Sequence, residues 1–338
     1  MCQPLPLAAI AALYHVSPAQ LQPVTGGHVS HVYAYSDEQR SYILRITPPN
    51  PDIDLRAMRA TLEWWAFLAA QGGPVPRLVA SRNGNVIEVV QSGDQHYIAG
   101  AFEKAPGVLA EGMAPGDWSD ELFQALGRTV GHCHRLAQQY EPARPEFRRP
   151  EWDASGNCFN PLESLDDADE RILAERNHVL ASIQALPKDR DSYGLTHLDL
   201  HFGNFYVDVA QQQILLFDFD DCAYGWYCMD IAMLLFDVLV VYDGLNPLQF
   251  GERFLENLLR GYHVAAPLSE FWITQLPHFL KLLEIGIYLI LAPGYDPASA
   301  DAWVSTFMPD RRDRIEHRRA YVDLDFAAIY RRAIAAHG

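Results

Sequence analysis

The spacing of apolar residues changes character part-way along the chain. Up to Gly107 the pattern is short and alternating. "LQPVTGGHVSHVYAYS" reads as strand, Gly-Gly turn and strand, and "RSYILRIT" as a further strand. "DLRAMRATLEWWAFLAAQG" breaks the alternation with apolar residues at helical spacing and stops at Gly72-Gly73. "VPRLVASRNGNVIEVV" then predicts strand, an Asn83-Gly84 hairpin turn and strand, and "HYIAGAFEKAPG" adds a last strand that ends at Pro106-Gly107. These pieces sum to a small antiparallel sheet with one helix.

After Gly107 the period lengthens. "SDELFQALGRTVGHCHRLAQQY" is an amphipathic helix that Ser119 caps ahead of the acidic pair Asp120-Glu121. Residues 141–163, rich in proline and charge, read as an irregular loop, and "SLDDADERILAERNHVLASIQAL" is helical again. Two strand-like pieces follow, and from Trp226 onward the pattern is mainly helical. The expectation is an α+β chain with a small β-rich lobe, residues 1–103, and a larger α-helical lobe, residues 104–338, joined near residues 102 to 107. No internal repeat or low-complexity tract interrupts it.

Composition narrows the function. The 338 residues hold 26 Lys+Arg against 43 Asp+Glu, a formal net charge of -17, which repels nucleic acid and anionic membranes while suiting a cationic small molecule. The five cysteines, Cys2, Cys133, Cys158, Cys222 and Cys228, are odd in number and scattered, which predicts a reducing compartment and no zinc knuckle. "MCQPLPLAAIAALYHV" lacks the basic and long apolar regions of a signal peptide. The longest apolar runs, "IAMLLFDVLVVY" and "IGIYLILA", fall short of the roughly 20 residues that span a bilayer, and Asp237 interrupts the first. A cytoplasmic protein is expected. Oligomeric state leaves no mark in the sequence.

The chemistry concentrates in "THLDLHFGNFYVD" and the downstream "QQQILLFDFDDCAYG", where carboxylates crowd the ends of apolar strands. A core does not accept unpaired carboxylates, so a cation, a hydrogen-bond network or both must compensate them. Phosphoryl transfer from ATP needs such a set: a carboxylate to orient the acceptor hydroxyl, and metal-binding oxygens to neutralise the phosphates. His197-x-Asp199-x-x-x-x-Asn204 has the spacing of the protein-kinase catalytic loop, and Asp218 closes the following strand. The intervening segment has hairpin length, with its turn near Asp208 to Gln212, which would return Asn204 and Asp218 to one end of adjacent strands.

"HLDLHFGNF" followed by "LLFDFDD" resembles the aminoglycoside phosphotransferase and choline kinase family, which has a bilobal protein-kinase-like fold. "FDFDDCAYGWYCMDIAMLL" resembles its homoserine-kinase-like and stress-response-kinase-like bacterial branch, and the likeness runs from about Leu21 to Tyr262. The resemblance implies a phosphotransferase that uses ATP and Mg2+ to phosphorylate a hydroxyl of a small molecule: an amino alcohol, hydroxy amino acid, aminoglycoside or sugar. Asp199 would be the catalytic base, with Asn204 and Asp218 as metal ligands and Asp220 assisting. His201 would stand beside the phosphates or support the loop, and Asp230 would brace the loop from a helix. In the first lobe Gly26 and Gly27 would approach the phosphates, Arg45 would stand where the family carries lysine, and Glu63 would pair with Arg45. Phe102, Glu103 and Lys104 would offer backbone groups to the adenine. The chain departs from the family with Arg45 for lysine and Leu198 for the usual glycine.

Other readings compete. His197 and His201 could ligate zinc, but no further ligand pattern such as H-E-x-x-H accompanies them. "DFDD" as a phosphatase nucleophile lies too far along the chain. A protein Ser/Thr kinase and a non-catalytic nucleotide-binding module both fit the fold, yet Asp199, Asn204 and Asp218 are all present. Aromatic residues in "AYGWY" and "EWWAF" suit either a core or a box for a cationic acceptor.

Overall fold

The structure, a computed structural model, describes residues 5–24, 30–49, 55–154, 156–161, 164, 169–241 and 246–335. Two compact units emerge: residues 1–106 with 142–148 and 215–217, and residues 107–141 with 149–214 and 218–338. Gly26 and Gly27 fall outside the described residues.

The first unit runs α1 (Leu7–Leu13), β1 (Gln22–Pro23), β2 (His31–Ser36), β3 (Ser41–Thr47), α2 (Leu55–Ala70), β4 (Leu78–Val79), β5 (Ile87–Ser92) and β6 (Gln95–Glu103). The strands form one sheet in the order β1-β2-β3-β6-β4, with β5 also on β6. β6 pairs with β3 and with both β4 and β5, and it is buried almost without alternation. Ile10, Ala11 and Tyr14 of the α1 region pack with Tyr35, Leu44, Ile46, Tyr97, Ala99 and Ala101 of the sheet into one core. Tyr14 settles its buried hydroxyl on the Ala99 carbonyl, 3.0 Å away.

One turn differs from expectation. Asn83-Gly84 does not join paired strands, since β4 and β5 both pair with β6. Gly84 does turn at φ +81°, but inside a loop gathered on Glu88, whose Oε1 accepts from Ser81 Oγ, Asn83 Nδ2 and Asn85 Nδ2. The two-residue hairpin is one step later, at Gly93-Asp94, where Ser92 faces Gln95.

The second unit holds β7 (Val108–Leu109), α3 (Asp120–Ala137), α4 (Glu170–Gln184), β8 (Tyr193–Thr196), β9 (Phe205–Asp208), the start of β10 (Gln213–Leu216), whose Leu215 and Leu216 belong to the first unit, β11 (Ala223–Trp226) and α5 (Cys228–Val241). α6 (Pro247–Ala265), α7 (Glu270–Ile273), α8 (Leu276–Leu291), α9 (Ala302–Phe307), α10 (Arg311–Glu316) and α11 (Phe326–Ala335) complete it. Ser119 caps α3 by accepting from the Leu122 amide at 3.2 Å. Two small sheets, β10-β9-β7 and β11-β8, frame the motif region.

Glycine lets α3 and α6 touch backbone to backbone. A Cβ on Gly127 would stand 2.0 Å from the Leu258 oxygen, and one on Gly261 1.8 Å from the Gln124 oxygen. Gly261→Ala is therefore expected to lower unfolding stability by about 1–3 kcal/mol or more, read from the urea midpoint, because the helices must separate.

Glu270 to Gly294 is, by length and composition, a helical stretch able to cross a membrane, at mean hydropathy 1.4, which the run-by-run reading of the sequence missed. Its setting is that of a core helix: 56% of the window is buried. Lys281 and Glu284 are buried within α8 as an ion pair, and Arg311 adds a second contact to Glu284 at 2.7 Å.

Candidate active site

β8 ends at Thr196, and the chain turns through residues 197–204 before β9 begins. Two aspartates of α5 pin this loop. Asp230 accepts from the His197 amide at 2.9 Å and the Leu198 amide at 2.8 Å, while Asp237 accepts from the Phe202 amide at 2.9 Å. Seven residues apart, they lie on one face of α5, so one rigid helix fixes both ends of the loop. Leu198, Leu200 and Phe202 are buried between these anchors.

The buried Asp230 is itself held. His134 Nε2 lies 2.9 Å from its Oδ2, and His134 Nδ1 lies 2.8 Å from the Tyr262 hydroxyl. Burial pushes the Asp230 carboxyl up, but the hydrogen bond from His134 and the His197 contacts bring it below its ordinary value. Asp237 goes the other way, raised by burial against the lowering contacts of Phe202, His201 and Trp303. Trp303 Nε1 donates to its Oδ1 at 3.2 Å. Asp237→Ala is expected to strand the Phe202 amide indoors and cost about 1–3 kcal/mol, visible as a lower thermal midpoint alongside a lower kcat.

Within the loop, Asn204 Nδ2 donates to the Asp199 carbonyl at 2.8 Å and to Asp199 Oδ2 at 3.0 Å. The Gly203 amide donates to His201 Nδ1 at 3.0 Å, while His201 Nε2 lies 3.1 Å from Asn204 Nδ2 and 3.6 Å from Asp199 Oδ2. Burial lowers the His201 imidazolium, yet the hydrogen bond and charge of Asp199, with the charges of Asp237 and Glu111, raise it overall. Asp199, His201 and Asn204 thus form one hydrogen-bonded group. Asp199 Oδ1 and Asn204 Oδ1 accept no hydrogen bond among the described residues.

The second element returns beside it. β9 and β10 are neighbours in their sheet, and the turn falls at Val209 to Gln212, closed by the Gln211 amide on Asp208 at 3.1 Å. Asn204, just before β9, and Asp218, just after β10, therefore sit at the same end of the hairpin. Asp218 is left-handed at φ 61°, ψ 60°, which aspartate tolerates better than most residues. Arg149, buried in what the sequence showed only as loop, clasps the next turn through the Asp220 carbonyl at 2.7 Å and the Cys222 carbonyl at 2.6 Å.

The acidic residues feel one another. Desolvation, then the charges of Asp199 and Asp220 and that of Asp218, push the Asp221 carboxyl up to about 6, although Asp221 keeps an exposed surface. Asp221 was not singled out from the sequence, and crowding by three other carboxylates is the signal that marks it. An all-oxygen donor set of this kind fits a hard divalent cation. Among the described residues no three Asp, Glu, His or Cys side chains already converge at metal-binding distance.

The remaining expected residues belong to the first unit. Arg45 Nε donates to Ser30 Oγ at 3.0 Å, and Glu63 accepts the Ala143 amide. Phe102 stacks on Trp65 at 4.5 Å. The Glu103 amide donates to the Arg77 carbonyl at 2.9 Å and the Lys104 amide to the Ser41 carbonyl at 2.8 Å. Both of these amides are engaged within the first unit. A cavity of about 400 Å³ in this unit is lined by Arg56, Arg59, Arg144, Glu146 and Phe147, none of them an expected site residue.

Comparison with known proteins identifies the family. Residues 20–272 match the phosphotransferase enzyme family. Amicoumacin kinase of Bacillus subtilis (strain 168) is 32% identical over 330 residues, covering 96% of this chain and 95% of that protein. A solved amicoumacin kinase in complex with AMP-PNP, Ca2+ and "Ami" superposes with a TM-score of 0.82 at 30% identity, covering 94% of each chain. A spectinomycin phosphotransferase with ADP, at TM-score 0.58 and 13% identity over 98% of this chain and 99% of that one, shares the fold.

Proposed function

The chain belongs to the phosphotransferase enzyme family and is a small-molecule kinase using ATP and a divalent metal; from that premise we propose how its residues divide the work and which acceptor they serve. Asp199 is the base. Its Oδ2 is held by Asn204 and faces His201 Nε2, which leaves Oδ1 to orient the acceptor hydroxyl and take its proton. Asn204, whose Nδ2 is tied to Asp199, turns its Oδ1 to Mg2+, and Asp218 is the second protein ligand. When bound, the metal offsets negative charge on the phosphates. Asp220 and Asp221 supply the field that attracts it, and Arg45 is the first unit's proposed cation for the phosphates. Positioning and charge compensation account for most of the rate enhancement.

We take the acceptor to be a small hydroxyl compound bearing positive charge, with amicoumacin as the first candidate. The observation that carries this is likeness to amicoumacin kinases along nearly the whole chain. The acidic surroundings of the loop, where Glu111 and Asp237 both act on His201, favour a cation. The proposed setting is the cytoplasm.

A coupled assay of ADP release tests the acceptor. The panel is amicoumacin, amino alcohols, hydroxy amino acids, aminoglycosides, sugars and a generic protein. Stimulation by amicoumacin above the acceptor-free rate is expected. Stimulation by another compound alone replaces the candidate, and stimulation by the protein alone overturns the small-molecule reading of the acceptor.

A further inference from the structure

We propose that His134 and Tyr262 are positioning residues whose task is to keep Leu198 in a left-handed backbone conformation, and with it Asp199 in place. Leu198 has φ 64° and no exposed surface. In that conformation a Cβ crowds the backbone; glycine adopts it freely and leucine does not. Something outside the loop must hold it there.

The holding group is the Asp230 carboxylate, one oxygen on the His197 amide and the other on the Leu198 amide. A carboxylate can turn about its own bond, and its orientation here is set from behind. His134 Nε2 meets Asp230 Oδ2, and the Tyr262 hydroxyl meets His134 Nδ1. With Nε2–H donating to Asp230, Nδ1 accepts from Tyr262, so each group has one role and the ring one tautomer. Tyr227 stacks on the imidazole at a 4.4 Å centroid distance and 14°, which fixes the plane. The whole chain of contacts is buried. His134 and Tyr262 lie on α3 and α6, the two helices that Gly127 and Gly261 let approach closely.

This inference rests on Asp199 being the base. The test uses the full chain and reads MgATP turnover as ADP release, with amicoumacin present and absent. Four proteins are compared: wild type, His134→Leu, Leu198→Gly and the double variant. His134→Leu is expected to lower kcat on the order of 10- to 100-fold, since small displacements of a reacting group cost that much. KM for ATP stays within about twofold, because nucleotide contacts are untouched. In the Leu198→Gly background the same replacement costs less than about threefold, because glycine no longer needs holding. Equal losses in both backgrounds overturn the proposal. If Leu198→Gly does not fold, His134→Gln decides, since its amide still donates to Asp230. A kcat well above that of His134→Leu supports the proposal, and an equal loss overturns it. Asp199→Ala in the same assay separates the two ideas: turnover retained there removes the base assignment, whatever happens at position 198.

Discussion

Replacing Asp199 with alanine is expected to lower kcat on the order of 10²- to 10⁴-fold, the range lost with a general base, while MgATP binding by calorimetry stays near the wild-type value. The asymmetry follows from the loop. Asp199 Oδ2 is committed to Asn204 and faces His201, whereas the loop's position depends on amides 197, 198 and 202 held by Asp230 and Asp237. Alanine removes the proton acceptor and leaves those amide anchors intact. Losing Asp199 Oδ2 frees one hydrogen bond of Asn204, but the bond from Asn204 Nδ2 to the residue 199 carbonyl remains. Wild-type turnover in the alanine variant would reassign the base.

The second large effect is at Asp218. Asp218→Asn is expected to abolish metal-stimulated turnover, a loss of at least about 10²-fold, with little change in thermal midpoint. Asparagine is the informative substitution because it tolerates the left-handed backbone seen here, φ 61° and ψ 60°, and so isolates the lost charge from the conformation. Asp218→Ala adds the backbone cost of about 1–2 kcal/mol and is expected to lower the midpoint as well. A magnesium titration of ADP release reads the effect. If Asp218→Asn matches the wild type at the same metal concentration, Asp218 is no ligand.

Much of this site could be read in the sequence because its parts are local. The H-x-D-x-x-x-x-N spacing, the hairpin of four-residue strands and the capped helix at Ser119 depend on neighbours a few residues away. What stayed hidden depends on distant partners. Asp237 read as a charge interrupting an apolar run, and only the fold shows it two turns along α5 from Asp230, serving the same loop. His134 lies 96 residues from Asp230 in the chain, Tyr262 lies 128 from His134, and Arg149 lies 71 from Asp220, so no local pattern announces them. Asn83-Gly84 has hairpin chemistry, but β6 outcompeted each flanking strand for the other's edge. The engaged amides of Glu103 and Lys104 were likewise invisible, because strand pairing is settled by register.

The pairing of Lys281 with Glu284 on an otherwise apolar helix bears on how the chain is made. A ribosome-bound insertion machine meets Glu270–Gly294 as a greasy segment before its partner Arg311 has been synthesised. A centrally placed charge opposes lateral release into lipid by about 2.5–3.5 kcal/mol, so the two residues would disfavour insertion of this segment. Lys281→Leu with Glu284→Leu would make that segment a good insertion substrate, and a glycosylation-mapping reporter would register the misrouting.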